Sequence, residues 1–276
     1  MSNRFPRLAF PLPFTKMSGT GNDFIVIDHR RPRLAEDEMP DFARLVCRHK
    51  LSAGADGLIL IENDEECDFR WRFFNADGSQ AEMCGNGARC AARFAHRAGI
   101  AGELMRFRTI AGVIAAQMVG QGVKIRLTPP AGLSLGRALD LGGATVTAHS
   151  VNTGVPHVVC LVDEIAQAPV AEWGRIIRHH QAYQPAGTNV NFVQITPDRL
   201  LIRTYERGVE GETLACGTGS VAAAIVTRAL GRASSPVRVA TASGEELMVH
   251  LKDEEVFLEG PARFIYDGML QAEALI

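Results

Sequence analysis

Arg72-Phe-Phe-Asn-Ala-Asp-Gly-Ser-Gln-Ala-Glu-Met-Cys84-Gly-Asn-Gly-Ala-Arg89 and Arg203-Thr-Tyr-Glu-Arg-Gly-Val-Glu-Gly-Glu-Thr-Leu-Ala-Cys216-Gly-Thr-Gly-Ser-Val221 are two copies of one pattern. Each reads as a strand, a polar turn, Cys-Gly-x-Gly-small, and then an Ala-rich helix. Glycines at such a junction let the backbone turn sharply and leave the first helical N–H groups uncovered. A cysteine there lies in the positive end of the helix dipole, where a thiolate is favoured.

The repeat extends beyond the cysteines. Thr20-Gly21 recurs as Thr153-Gly154 and Gly54-Ala-Asp-Gly-Leu-Ile-Leu as Gly187-Thr-Asn-Val-Asn-Phe-Val, both at an offset of 133. Cys84 to Cys216, and Thr109-Ile-Ala-Gly112 to Thr241-Ala-Ser-Gly244, are spaced by 132, and Arg72 to Arg203 by 131. Collinear features at one spacing indicate an internal duplication. A unit of that length makes two similar domains and not a solenoid. The expected fold is α/β of the α+β type: two pseudosymmetric halves, each a mixed β-sheet wrapped around a central helix. The expected boundaries are an ill-ordered extension at 1–13, halves at 14–130 and 131–261, and a segment at 262–276 that packs back onto the first half. Pro129-Pro-Ala-Gly132 is the expected linker.

The chain has 276 residues, 46% apolar and 22% charged, with a net charge of −2. With 29 basic against 31 acidic residues there is no cationic surplus for phosphate contacts, which argues against nucleic acid as a partner. The apolar runs are too short to span a membrane. Pro6, Pro11 and Pro13 interrupt the N-terminal apolar residues, so we expect no signal peptide and a cytosolic protein. The six cysteines contain no Cys-x-x-Cys pair; free thiols are expected, with no metal site.

Taken in order, Phe14–Met17 reads as a strand leading into the polar loop Ser18–Asp23, and Phe24–Asp28 as a buried strand. From the loop alone, Asn22 could bind a ligand or close the turn. Residues 36–49 read as a helix, and Asp68–Phe74 as a strand ending at Asn75-Ala-Asp-Gly78. The helix after Cys84 runs to about Ala98, with Gly99 behind it. Arg89, Arg93 and Arg97 form one stripe on that helix, read as a solvated or interface face. In the second half, Thr145–Asn152, Val158–Val162, the stretch from Gly187, and Leu200–Tyr205 are strands, and Ser220–Leu230 is a fully buried helix.

Two matched acid/base groups suit the inversion of a stereocentre. One thiolate removes a proton from carbon and the opposite thiol returns one to the other face. The duplication would bring both helix N-termini to the cleft between the halves. A free thiol titrates near about 8.5 and a helix terminus contributes up to ~2 kcal/mol, which gives a useful thiolate population near neutrality. General acid–base catalysis supplies about 10²- to 10⁴-fold, so the carbanion-like transition state also needs stabilising by helix N-termini aimed at the substrate carboxylate. None of the four lysines has a Schiff-base context, and Gly19-x-Gly21 lacks the rest of a nucleotide fingerprint, so no cofactor is expected.

Phe14-Thr-Lys-Met-Ser-Gly-Thr-Gly-Asn-Asp-Phe24, Phe74-Asn-Ala-Asp-Gly-Ser79, Met83-Cys-Gly-Asn-Gly-Ala-Arg-Cys90 and Glu206-Arg-Gly with Ala215-Cys-Gly-Thr-Gly219 closely resemble diaminopimelate epimerases. The resemblance covers nearly the whole chain from Phe14. It implies two pseudosymmetric α/β domains around a central cleft, activity without pyridoxal phosphate, a small amino-acid substrate, and a homodimer. It also implies that Cys84 and Cys216 are the catalytic bases and that His157 and Glu206 tune them. Asn22, Asn75, Asn189, Glu206 and Arg207 would hold the distal amino-acid head of the substrate. Gly85, Asn86, Gly217 and Thr218 would cradle the carboxylate at the reacting carbon. Val155 stands where the family often has Asn, and Gly57 where some members have Gln. Two other readings are a racemase of proline or hydroxyproline and a non-catalytic redox switch of the two cysteines. The polar set around Asn22, Asn75, Asn189 and Arg207 weighs against both, since burying it without a ligand is costly.

Overall fold

The computed structural model describes residues 5–276. The chain divides into two compact units: one runs up to Ile125 and takes in Pro261–Ile276, and the other is Arg126–Gly260. The strands in chain order are β1 (Leu12–Gly19), β2 (Asn22–Asp28), β3 (Gly57–Glu62), β4 (Phe69–Asn75), β5 (Leu104–Thr109), β6 (Gly112–Val119), β7 (Gly122–Arg126), β8 (Ala131–Asp140), β9 (Thr145–Asn152), β10 (Pro156–Leu161), β11 (Asn189–Ile195), β12 (Leu200–Glu206), β13 (Gly211–Thr213), β14 (Val237–Ala240), β15 (Glu246–Lys252), β16 (Glu255–Pro261) and β17 (Arg263–Leu270). The helices are α1 (Met39–Val46), α2 (Gly85–Arg97), α3 (Val170–Arg178) and α4 (Gly217–Ala229).

The duplication is visible strand by strand. The first unit has the order β17-β1-β2-β3-β4-β5-β6-β7. The second has β8-β9-β10-β11-β12-β14-β15-β16, with β13 folded back on β12. In both, the pairs β2/β3 with β4/β5, and β10/β11 with β12/β14, are parallel, and every other neighbour is antiparallel. The C-terminal strand β17 thus occupies in the first unit the place that β8 holds in the second. Residues 262–276 lie outside the sequence repeat because the first half takes its edge strand from the far end of the chain.

Phe24-Ile-Val-Ile27 of β2 and Leu58-Ile-Leu-Ile61 of β3 are all buried, as continuous apolar runs in a parallel pair covered on both faces should be. Each such side chain contributes on the order of 1.5–3 kcal/mol. The outer face packs on α1 through Phe42, Ala43 and Val46. On α2 the buried residues include Gly87, Ala88, Ala91, Ala92 and Ala95, whose small size lets β1, β2, β3 and β6 close on the helix. A Cβ at Gly87 would already meet Trp71 at 3.3 Å and Ile59 at 3.4 Å. Both central helices end alike. Gly99 (φ 66°) and Gly231 (φ 70°) follow the caps. Their amides bond His96 O at 3.1 Å and Arg228 O at 2.9 Å. The next residues, Ile100 and Arg232, bond Ala95 O and Thr227 O, both at 2.9 Å, completing a Schellman motif in each copy.

Three expectations need correction. Residues 1–4 of the expected ill-ordered extension lie outside the described residues, but Phe5 and Leu8 are buried in the first unit's core and β1 already begins at Leu12. The linker at Pro129–Gly132 runs straight into β8, a strand with no clear sequence signal: its residues are almost all exposed, Gly132 and Gly136 have positive φ, and its register against β9 shifts twice. Leu127 N already donates to Val256 O at 2.9 Å, so the second unit starts before the prolines. The arginine stripe on α2 is not a uniformly solvated face: Arg89 is fully buried, Arg93 is half-buried and only Arg97 is exposed. Arg93 and Arg97 lie over the Phe264 ring, with Cζ 5.0 and 3.7 Å from its centroid, and Arg97 pairs with Asp267 at 2.7 Å. The stripe holds β17 in place.

Candidate active site

In each unit the parallel pair begins at one sheet end, and the antiparallel neighbour finishes there. Phe24 pairs with Gly57, which pairs with Asn75. His157 pairs with Asn189, and Glu206 ends β12. The polar residues singled out in sequence therefore collect at strand ends.

In the first unit Cys84 is the N-cap of α2, extended at φ −144°, ψ 115°, and its sulfur accepts from Gly87 N at 3.4 Å. Helix geometry leaves the amides of Gly85 and Asn86 without intrahelical acceptors, a seat for an anion. The Asn86 side chain donates to Asn22 Oδ1 at 2.8 Å and to Thr20 O at 3.4 Å, and so ties the loop to the helix start. Asn22 Nδ2 donates to Asp56 Oδ2 at 2.9 Å, and Asn75 Nδ2 to Ser79 Oγ at 2.9 Å.

Residues not singled out in sequence complete this cluster. Asp56 and Asp23 exchange backbone and carboxylate hydrogen bonds, and buried Lys16 meets Asp23 Oδ2 at 2.6 Å and also bonds Gly54 O. Arg89, read with its stripe as a solvated or interface face, donates to Thr20 Oγ1 and Asn86 Oδ1, each at 2.8 Å, and to Gly85 O at 3.2 Å. Thr20 itself sits in the left-handed region at φ 52°, a conformation costing a non-glycine residue on the order of 1–3 kcal/mol and sustained by such contacts.

The second unit has the same plan with different chemistry. Cys216 is the N-cap of α4 (φ −127°, ψ 110°), and its sulfur lies 3.5 Å from Thr218 Oγ1. Gly217 opens the helix, and Thr218 O accepts from Thr153 Oγ1 at 3.1 Å. Asn189, nearly buried, accepts from Arg207 N at 2.8 Å and donates to Pro156 O at 3.3 Å. Arg207 donates from its guanidinium to Ala186 O at 3.0 Å. Burial pushes the Glu206 carboxyl above the usual range. His157 is buried; burial, helped by the Arg207 guanidinium, pulls its imidazole down to about 3. Its Nδ1 lies 3.1 Å from Asn191 Nδ2, and its Nε2 has no hydrogen-bond partner among the described residues. Asn191, wholly buried on β11, was missed because Asn-Val-Asn alternation in a strand reads as one face of ordinary polar residues.

Cys84, Gly85, Asn86, Asn22 and Asn75 thus gather in one unit, and Cys216, Gly217, Thr218, His157, Asn189, Glu206 and Arg207 in the other. Among the described residues no cluster of three or more His, Cys, Asp or Glu could hold a metal ion, and no helix is long and apolar enough to cross a membrane.

The sequence model of the diaminopimelate epimerase family matches residues 14–131 and again 149–265. A diaminopimelate epimerase of Aquifex aeolicus is 48% identical over 96% of this chain and 99% of its own. One from Chlorobaculum tepidum is 46% identical over 92% of this chain and 99% of its own. Among solved structures, a phenazine biosynthesis protein of the PhzF family from Bacillus anthracis superposes with a TM-score of 0.73 at 14% identity, over 94% of this chain and 99% of that one. A hydroxyproline epimerase from Agrobacterium vitis, with trans-4-hydroxy-L-proline bound, gives 0.68 at 15% identity, over 95% and 93%. At such identities these structures share the fold alone.

Proposed function

The chain belongs to the diaminopimelate epimerase family, an isomerase family, and we propose that Cys84 and Cys216 are the two acid/base groups with which it inverts one α-carbon of 2,6-diaminopimelate, interconverting the LL and meso forms in lysine and peptidoglycan precursor synthesis. The observation that carries this is the position of both cysteines as N-caps of matched, buried helices.

One thiolate takes the proton from Cα. The electron pair left on carbon is delocalised into the adjacent carboxylate, and the other thiol donates its proton to the opposite face. The configuration inverts and the roles of the two sulfurs exchange. Acid–base transfer supplies about 10²- to 10⁴-fold, and the charge gathering on the carboxylate is met by the first-turn amides at Gly85, Asn86, Gly217 and Thr218. His157 and Glu206 set the electrostatics of the sulfurs. Asn22, Asn75, Asn189, Glu206 and Arg207 bind the ammonium and carboxylate of the unreacting end. This chemistry asks nothing of a cofactor. We also read the protein as a cytosolic homodimer, its thiols requiring a reducing compartment, with the exposed Ile265, Tyr266 and Met269 of β17 on the dimer surface.

The test is deuterium uptake at Cα in D₂O with LL-diaminopimelate and, separately, L-proline. Uptake into diaminopimelate alone, abolished in Cys84→Ser and in Cys216→Ser, is the expected result. Uptake into proline instead would overturn the substrate, and uptake into neither by reduced protein would overturn the mechanism.

A further inference from the structure

Asn191 and His157 meet on adjacent strands, both buried, with Asn191 Nδ2 at 3.1 Å from His157 Nδ1. The direction of that bond follows from the other contacts of Asn191. Its Nδ2 also lies 2.8 Å from Val158 O, and a backbone carbonyl only accepts. The amide nitrogen must therefore face Val158 O and the amide oxygen must face the other way, where Thr204 Oγ1 donates to it at 3.0 Å. Reversing the amide would set two carbonyl oxygens against each other. With its orientation fixed, Asn191 donates one N–H to Val158 O and the other to His157 Nδ1. Nδ1 is thus an acceptor and carries no proton, so in the neutral imidazole the proton is on Nε2.

We propose that Asn191 is a positioning residue of this site, which holds His157 as the Nε2–H tautomer so that the ring serves as a fixed hydrogen-bond donor and not as a base. Nε2 is buried and has no partner among the described residues, and an unmet buried donor costs roughly 1–3 kcal/mol. Such a group persists where a transient acceptor completes it. The acceptor is an anion formed at the first turn of α4. A Cβ placed on Gly219 would lie 2.3 Å from Asn191 Oδ1 and 3.3 Å from Cys216 Cβ, so the side chain that orients His157 presses directly under the turn that carries Cys216. The opposite tautomer would turn a lone pair towards that anion. Gly219 is the residue that permits the contact, which gives the Cys-Gly-x-Gly pattern a second use beyond freeing amides. This inference deepens the epimerase reading and rests on it for its catalytic half.

The experiment is long-range ¹H–¹⁵N correlation of the histidine rings in the full-length, reduced protein, with the His157 signals assigned by their loss in His157→Gln. A protonated Nε2 and an unprotonated Nδ1 across the neutral range are expected; a protonated Nδ1 overturns the proposal. Asn191→Asp then replaces the donor with a carboxylate that can only accept, so the ring must donate from Nδ1. The expected result is a reversed pattern and a loss in kcat on the order of 10²-fold, with KM for diaminopimelate changed far less. Thr204→Val also removes a buried hydrogen bond from Asn191 but leaves Val158 O to orient it, and should keep the wild-type pattern. An unaltered kcat alongside a reversed pattern would overturn the catalytic role. Should Asn191→Asp not fold, the wild-type spectrum still decides the tautomer. A protein with the expected tautomer that inverts no diaminopimelate would remove the assigned function and leave the tautomer standing.

Discussion

Arg89 Nη2 donates to Thr20 Oγ1 at 2.8 Å, joining a fully buried guanidinium on α2 to a loop residue held at φ 52°. The same guanidinium reaches Asn86 Oδ1 and Gly85 O, the two residues that follow Cys84. One side chain therefore fixes both the loop that carries Asn22 and the helix start. With Pro261 O, which accepts from Nε at 3.3 Å, Arg89→Met leaves four acceptors without this donor, and a loss of about 2–4 kcal/mol is expected. The urea unfolding midpoint should fall with an unchanged slope, and KM should rise as the Asn22 loop loosens. Arg89→Lys should rescue little, because a single ammonium cannot replace a planar fork of donors.

His157 and Glu206 make opposite contributions to stability against pH. The imidazole is ordinarily protonated below about 6.5 and in the folded protein only below about 3. Between those values the unfolded chain binds the extra proton, so stability rises with pH across that window and is lost as pH falls through it. The Glu206 carboxyl is held above 4.5 by burial, so its contribution is present below 4.5 and is lost as pH rises through its folded value. In denaturation curves taken at successive pH values, His157→Gln should flatten the acid limb by about one proton. Glu206→Gln should raise the midpoint at neutral pH and leave it nearly unchanged under acid conditions, while lowering activity. A neutral-pH midpoint that falls in Glu206→Gln would contradict the buried-charge account.

What the sequence shows plainly is what repeats locally. The Cys-Gly-x-Gly turns, the apolar runs of β2 and β3 and the glycine closures of α2 and α4 all depend on neighbours within a few residues, and all are in the structure. What it hides depends on partners far along the chain. Arg89 reads as part of a solvated or interface stripe, and its burial is hidden because its acceptors Thr20 and Pro261 are 69 and 172 residues away. Asn191 reads as an ordinary strand residue until β10 is laid beside it. The strand β8 has neither alternation nor a buried face, and β17 has no counterpart at the expected offset because its counterpart lies at the start of the second half.

Gly57 and Gly219 are held by space and not by backbone angle. A Cβ at Gly57 would meet Phe73 Cε2 at 2.6 Å and Phe74 O at 2.8 Å, inside the β3/β4 pair. Gly57→Ala should destabilise by about 1–3 kcal/mol, the range for overpacking a filled interior. Gly219→Ala should lose as much stability and more kcat, since the atom it strikes is Asn191 Oδ1. The ratio of the two effects is the informative quantity. Equal losses of kcat in both variants, at matched stability, would remove the special role of the α4 turn.

The place of β17 makes a prediction about connectivity. Leu270 pairs with Leu12 and Arg263 with Ser18, so the C-terminal end of β17 lies beside the start of β1. A short flexible segment from Ile276 to the N-terminus, with new termini opened between Pro261 and Ala262, would make β17–β1 a contiguous antiparallel pair, as β8–β9 already is in the second unit. The chain would then read as two complete copies in series. Termini and exposed connections are where such permutation is tolerated, but this opening cuts the peptide whose carbonyl, Pro261 O, accepts from Arg89, and frees the residue whose carbonyl, Ala262 O, accepts from Arg93. The permutant should fold with a stability loss of about 1–2 kcal/mol, on the scale of those bonds, and should keep α-proton exchange. Deleting residues 262–276 should instead leave the edge of β1 bare and yield insoluble or protease-sensitive protein. A soluble, active deletion would show that β17 completes the first unit only in appearance.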